Sequence, residues 1–159
     1  MVSETTESDS LRPDEVADHL DRLYCYHMMM AQWTIAVGSR HSSSHQPLLA
    51  DLYQEALAHL NAATELASRI VQLGGTVTAD PSDIAYRAPI DSFELPDNPS
   101  DAHRTVAQLH RLTTAAITAY RNLLGTLGES DPASSRIVVG LLATAVNRQR
   151  DLESAIRDE

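Results

Sequence analysis

The sequence predicts an all-α protein, a four-helix bundle with a long crossover between helices 2 and 3. Three observations carry that expectation. Apolar residues recur at spacings of three and four through four segments of roughly 25 residues each, the period of a helix with one buried face. Prolines and glycines stand where those segments begin and end. Aromatic residues are only 4% of the chain while alanine and leucine are plentiful, a mixture that favours helix over sheet.

The elements follow in order. Residues 1–12 read as a disordered acidic tail, polar and small, with Glu4, Glu7 and Asp9. The remaining residues, 13–159, are expected to form the bundle. Pro13 suits the first turn of a helix, and Asp14 and Glu15 suit its positive end. That helix runs to about Gly38 with Val16, Leu20, Leu23, His27, Met30, Thr34 and Val37 on one face. A polar linker leads to Pro47, which opens a second helix striped by Leu49, Leu52, Ala56, His59, Ala63, Leu66 and Ile70. Gly74-Gly75 stops it.

Four prolines between residues 76 and 100 mark the long crossover, with a short helix expected over 82–87. A connection of that length can join helices that run parallel, which a tight turn cannot. Ser100 and Asp101 can cap the third helix, whose stripe is Val106, Leu109, Thr113, Ala116, Tyr120 and Leu123. After Gly125–Gly128, Asp131-Pro132 opens the fourth, with Val138, Leu141, Ala145, Arg148 and Leu152 facing inward. It is expected to fray at Arg157.

Composition excludes several classes. The chain has 159 residues, enough for one domain with a real core. No apolar run approaches the roughly 18 residues of a membrane span. The N-terminus lacks the basic start and apolar core of a secretory signal, and Cys25 has no partner for an intramolecular disulfide, so a cytoplasmic location is expected. The net charge is −10 and all twelve basic residues are dispersed arginines, which disfavours nucleic acid as a partner.

The end of the second helix, Glu65-Leu66-Ala67-Ser68-Arg69-Ile70-Val71-Gln72-Leu73-Gly74-Gly75 with Pro81 shortly after, resembles the "LAERxxxLGG" string of the Dps, or mini-ferritin, type of ferritin-like protein. Trp33, late in the first helix, stands where Dps chains carry a "HWN" tripeptide; here it reads Gln32-Trp33-Thr34. The resemblance implies a ferritin-like four-helix bundle, assembly as a homo-oligomer anywhere from dimer to a twelve-subunit cage, and iron as cofactor and cargo, oxidised between paired subunits as a stress response. Residue by residue, the family's ligand positions are substituted. The histidine before the tryptophan is Gln32. The aspartate and glutamate that precede the arginine are Thr64 and Ser68. The remaining histidine falls near Leu49, and His41 or His45 would replace it only with the linker rearranged. The other ferritin arrangement, a Glu-x-x-His motif supplied twice in the bundle core, has no counterpart in this chain.

A different constellation arises from the periodicity itself. His27, His59 and Arg148 lie near the middle of the first, second and fourth helices on inward stripes, and Tyr120 and Thr113 lie on the inward stripe of the third. Buried polar groups are costly unless paired, so a shared polar layer needs an explanation. Three remain open: core-edge histidines bonded to hydroxyl or backbone groups with Arg148 snorkelling outward; a small-ligand pocket with the arginine facing an anion; or a metal site at His27, His59 and Glu55. Glu55 and His59, four residues apart on one face, are expected to form a local hydrogen bond. Asp51 and Glu55 share that spacing, and could line a cage interior where mineral nucleates. The run Tyr24-Cys25-Tyr26-His27-Met28-Met29-Met30 points its donors in different directions on a helix, so packing is expected there rather than soft-metal capture.

Three functional expectations follow. The leading one is a Dps-like cage protein of iron handling and oxidative-stress protection with a weakened or absent ferroxidase centre. The alternatives are a ferritin-like scaffold repurposed as a small-molecule enzyme or binding module through the mid-bundle layer, and a non-catalytic structural bundle.

Overall fold

The computed structural model describes residues 10–41, 46–90, 94–95 and 101–157, with the side chains of residues 46–50 outside it. The acidic tail over residues 1–9, His45, the side chain of Leu49 and the expected cap at Ser100 therefore lie outside the described residues. Four long helices carry the chain: α1 Pro13–Gly38, α2 Gln46–Gln72, α4 Ala102–Leu127 and α5 Pro132–Arg157, with the short α3 Pro81–Arg87 inside the crossover. No strand occurs among the described residues, and no helix of the described residues is long and apolar enough to cross a membrane.

Each boundary has a local cause. At the start of α1, Pro13 fixes the first turn and Glu15 accepts a hydrogen bond from the Arg12 backbone N–H at 2.8 Å. Asp80 caps α3 through Ser82 N, and Asp101 caps α4 through Arg104 N. Asp131 heads α5, accepting from Ser134 N at 3.3 Å and Ser134 Oγ at 2.6 Å. Gly74, at φ 81°, takes the left-handed conformation that ends α2.

α1 packs along α2, and α4 along α5, while α3 leans on α1. Leu20, Met30, Leu52, Leu66, Ile70, Leu109, Leu127 and Val138 are fully buried between them, each such side chain contributing about 1.5–3 kcal/mol by leaving water. Cys25 is buried too, as a small apolar residue. Two contacts pin the crossover onto α1. The Trp33 indole N–H donates to the Glu94 carbonyl at 3.1 Å. The buried Asp21 carboxylate accepts from Thr78 N, Thr78 Oγ1 and Arg87 Nε at 2.9, 2.6 and 2.8 Å.

One face of the bundle is less tightly closed. α2 and α5 touch sparsely, and α5 buries only Ser134, Val138 and Leu152. The inward stripe read for α5 is therefore only half-buried at Leu141, Ala145 and Arg148. The gap lies over the polar layer.

Candidate functional site: a polar layer at mid-bundle

The helices bring His27 of α1, Glu55 and His59 of α2, Tyr120 of α4 and Arg148 of α5 to one level. His27 Nδ1 lies 2.8 Å from His59 Nδ1, and the Tyr120 hydroxyl lies 2.9 Å from His27 Nε2. Arg148 Nη2 lies 2.5 Å from Glu55 Oε2. Tyr26 completes the floor, edge-on to His27 and His59 with ring centroids 5.0 and 5.9 Å away. Sequence reasoning missed Tyr26, because its neighbour His27 already occupied the inward stripe.

The direction of the hydrogen bonds follows from what each group can give. Burial, reinforced by His59 beside it, holds the His27 pKa well below the usual histidine value, so the ring is neutral and has one N–H. Burial pushes the Tyr120 hydroxyl far above the usual phenol range, so it keeps its proton. The Glu55 carboxylate on the Nε2 side of His59 favours that ring's proton on Nε2, which leaves His59 Nδ1 to accept from His27 and His27 Nε2 to accept from the Tyr120 hydroxyl. The His27 N–H is then on Nδ1 and donates to His59 Nδ1. His59 in turn carries its proton on Nε2, facing Glu55 Oε1 at 3.8 Å. That distance is too long for the expected local hydrogen bond between Glu55 and His59, because the carboxylate is drawn toward Arg148 instead. Burial, the largest single influence on Glu55, pushes its pKa up, but His59 and Arg148 together outweigh it and the carboxyl sits below its usual value.

Arg148 does not snorkel outward. Its side chain is 26% exposed and turned in to Glu55, which is 11% exposed, because an unpaired carboxylate at that depth would cost more than the arginine gains from full hydration. Among the described residues the Arg148 Nε is buried without a hydrogen-bond partner. Above the layer, α2 and α5 enclose a half-open cleft of about 560 Å³. Ala58, Ala62, Leu141 and Ala145 form its apolar walls, with Thr113 at the floor and Asp51 and Glu65 at the mouth.

A metal ion does not fit this donor set. The two Nδ1 atoms are spent on each other, His59 presents an N–H rather than a lone pair to Glu55, and the carboxylate is already held by a guanidinium whose charge repels a cation. Among the described residues no three His, Cys, Asp or Glu side chains form a metal-holding group. The substituted positions of the Dps-type centre lie elsewhere. Gln32, Thr64 and Ser68 are exposed on the outer side of α1 and α2, and the Thr64 hydroxyl is bonded to its own helix at the Leu60 carbonyl. His41 is buried, with Nε2 at 3.1 Å from Thr105 Oγ1, so it does not stand in for the missing histidine.

Comparison with known proteins agrees with this architecture. The family model for the ferritin-like domain matches residues 15–159. Among solved structures, a dodecameric thioferritin, the bacterioferritin-related protein from Bacteroides fragilis, superposes with a TM-score of 0.85 at 17% identity, covering 94% of this chain and 88% of that one. A variant of Mycobacterium smegmatis Dps1 superposes at 0.83 with 16% identity, covering 91% and 96%. No curated protein matches the chain.

Proposed function

The chain belongs to the ferritin-like domain family, a family of iron storage and handling, and from that premise we propose that it is a Dps-like, cage-forming subunit for which iron is cargo and which has no ferroxidase centre of its own. The observation that carries this reading is the Arg148–Glu55 ion pair at the centre of the bundle. It puts a positive charge at the level where a site in the bundle core would gather iron. The hydroxyl side chains at Thr64 and Ser68 leave the alternative position between subunits equally poor in donors. Iron would then reach the cage already oxidised, or be oxidised in solution, and be held by exposed carboxylates such as Asp51. In this reading the protein acts in the cytoplasm in oxidative-stress protection, without nucleic acid as a partner.

Assembly is supported by the outer face of α2. Tyr53, Leu57 and Leu60 recur along one stripe and are 47%, 54% and 37% exposed, an apolar patch of the kind that supports an interface. Light scattering on the purified protein is expected to give a large homo-oligomer, and Leu57→Arg to reduce it while circular dichroism stays unchanged. A monomeric wild type would remove the cage. Ferrous iron is expected to oxidise no faster than in buffer. An acceleration abolished by Glu55→Gln would place a working centre at mid-bundle and overturn the reading.

The cleft favours a second reading, a ferritin-like scaffold that binds a small molecule above the polar layer. Its volume falls in the range of ligand sites, and its apolar walls with few polar groups are typical of them. Thermal-shift screening separates the two. A compound that raises the melting temperature of the wild type but not of Ala145→Phe, which fills the cleft, would favour this second role.

A further inference from the structure

Among the described residues, two ion pairs cross the sparsely packed seam between α2 and α5. At one end Arg69 of α2 grips Asp131 at the head of α5 through both carboxylate oxygens, at 2.9 and 2.8 Å. At the level of the histidines Arg148 of α5 holds Glu55 of α2. The second pair lies where metal-loaded bundles of this architecture gather carboxylates and histidines around their ions. Here a positive charge at that level comes from the chain itself.

We propose that the Arg148 guanidinium is the built-in cation of this layer. It takes the place of a divalent metal ion, ties α5 to α2 through Glu55, and makes the bundle independent of metal supply. The inference deepens the reading of an absent ferroxidase centre and rests on it.

The charge balance requires such a group. Glu55 is nearly buried, and its nearest imidazole neighbours cannot both serve it. His27 is held neutral, and His59, at 3.8 Å, helps to hold the Glu55 carboxyl below its usual value without closing a short hydrogen bond, so the short charged contact falls to Arg148. Arg148 meets the need under all accessible conditions, because a guanidinium does not lose its proton. A metal ion would have to displace it from Glu55. Binding at His59 Nε2 would also require every proton in the Tyr120–His27–His59 series to reverse, since that nitrogen now carries the hydrogen.

Cobalt(II) chloride added to the full-length, chelator-treated protein tests this, read by visible absorption and by melting temperature. The wild type is expected to melt at the same temperature with chelator or with cobalt and to stay colourless. Arg148→His removes the fixed charge, frees Glu55 and adds a neutral donor. It is expected to gain cobalt absorption bands and a higher melting temperature with the metal, both lost on adding Glu55→Gln. Cobalt bands in the wild type that vanish in Glu55→Gln would overturn the proposal, as would an Arg148→His protein indifferent to cobalt.

Should that variant fail to fold, Arg148→Gln carries the test, since it keeps a hydrogen-bonding group but no charge. It is expected to melt about 5 °C below the wild type at pH 7. The gap should narrow toward pH 4 as Glu55 takes up a proton and no longer needs a cation. A gap unchanged with pH would overturn the proposal. A protein that fails to assemble into a cage leaves the cobalt result standing, and a silent Arg148→His leaves the absence of ferroxidase activity standing.

Discussion

His27 Nδ1 and His59 Nδ1 face each other at 2.8 Å across the α1–α2 seam, so a single proton lies between two imidazole rings. Tyr26, Tyr120, Glu55 and Arg148 surround the pair. Burial and then His59 hold the folded-state pKa of His27 well below its usual value of about 6.5. Unfolded, the ring returns to that value. Above it, both states leave the ring neutral and its contribution to stability is complete. As pH falls below it the unfolded chain takes up a proton that the folded chain refuses, and stability drops by up to about 1.4 kcal/mol per pH unit. Melting temperature between pH 7.5 and 5 should therefore decline in the wild type and decline less in His27→Leu. Equal slopes in the two proteins would show that His27 does not govern acid sensitivity. Glu55 adds a separate loss at lower pH, because its carboxyl sits below the usual value in the fold.

Tyr120→Phe removes one oxygen from the layer and keeps the ring. It leaves the buried His27 Nε2 with no donor, at a cost of about 1–3 kcal/mol. Urea unfolding should report that loss with little change in the dependence on denaturant, because the surface exposed on unfolding stays the same. A variant as stable as the wild type would mean that the hydroxyl does not satisfy the histidine.

The polar layer was partly legible in the sequence, and the division has a physical basis. Helical periodicity depends on one segment at a time, so it located His27, His59, Tyr120 and Arg148 on inward stripes, just as Pro13, Gly74, Asp101 and Pro132 located the helix ends. Pairing across helices depends on how each helix is rotated and how far apart it stands. The turn of Arg148 toward Glu55, rather than the outward snorkelling of one of the three open readings, depends on the open seam between α2 and α5, which no single stripe records. The Asp21–Thr78–Arg87 clamp was invisible for the same reason. Thr78 lies in the irregular part of the crossover and Arg87 ends the two-turn α3, too short to show an inward stripe, and the only sign of the clamp was an acidic residue between Leu20 and Leu23.

That clamp makes its own prediction. Asp21 is buried and takes three hydrogen bonds from the crossover, while Arg87 also reaches Asp18 at 2.6 Å. Asp21→Ala leaves the Thr78 N–H and one side of the guanidinium unpaired. The crossover should open locally more often than the bundle unfolds. Trypsin cuts after arginine, so cleavage following Arg87 is expected to quicken by about tenfold, equivalent to about 1.4 kcal/mol of local stability. An unchanged rate at Arg87 would mean that the hydrogen bonds to Asp21 do not hold the segment down.

The adjacent glycines at the end of α2 should fail for different reasons. Gly74 needs its positive φ of 81° but has open space around it, so Gly74→Ala should cost only about 1 kcal/mol of backbone strain. Gly75 has an ordinary backbone but no room. A Cβ there would stand 3.0 Å from Ala17 Cβ on α1 and 3.0 Å from Ile70 Cγ2. Gly75→Ala is therefore expected to make Ala17 and Ile70 give by a few tenths of an ångström, at up to about 1–3 kcal/mol, the usual cost of overpacking. Only the second variant should couple to Ala17. In a double-mutant cycle measured by urea unfolding, Ala17→Gly should recover part of the Gly75→Ala loss and none of the Gly74→Ala loss. A coupling near zero at Gly75 would mean that the helices yield at that point, and that the Gly74-Gly75 pair serves only to stop the helix rather than to bring α2 close to α1.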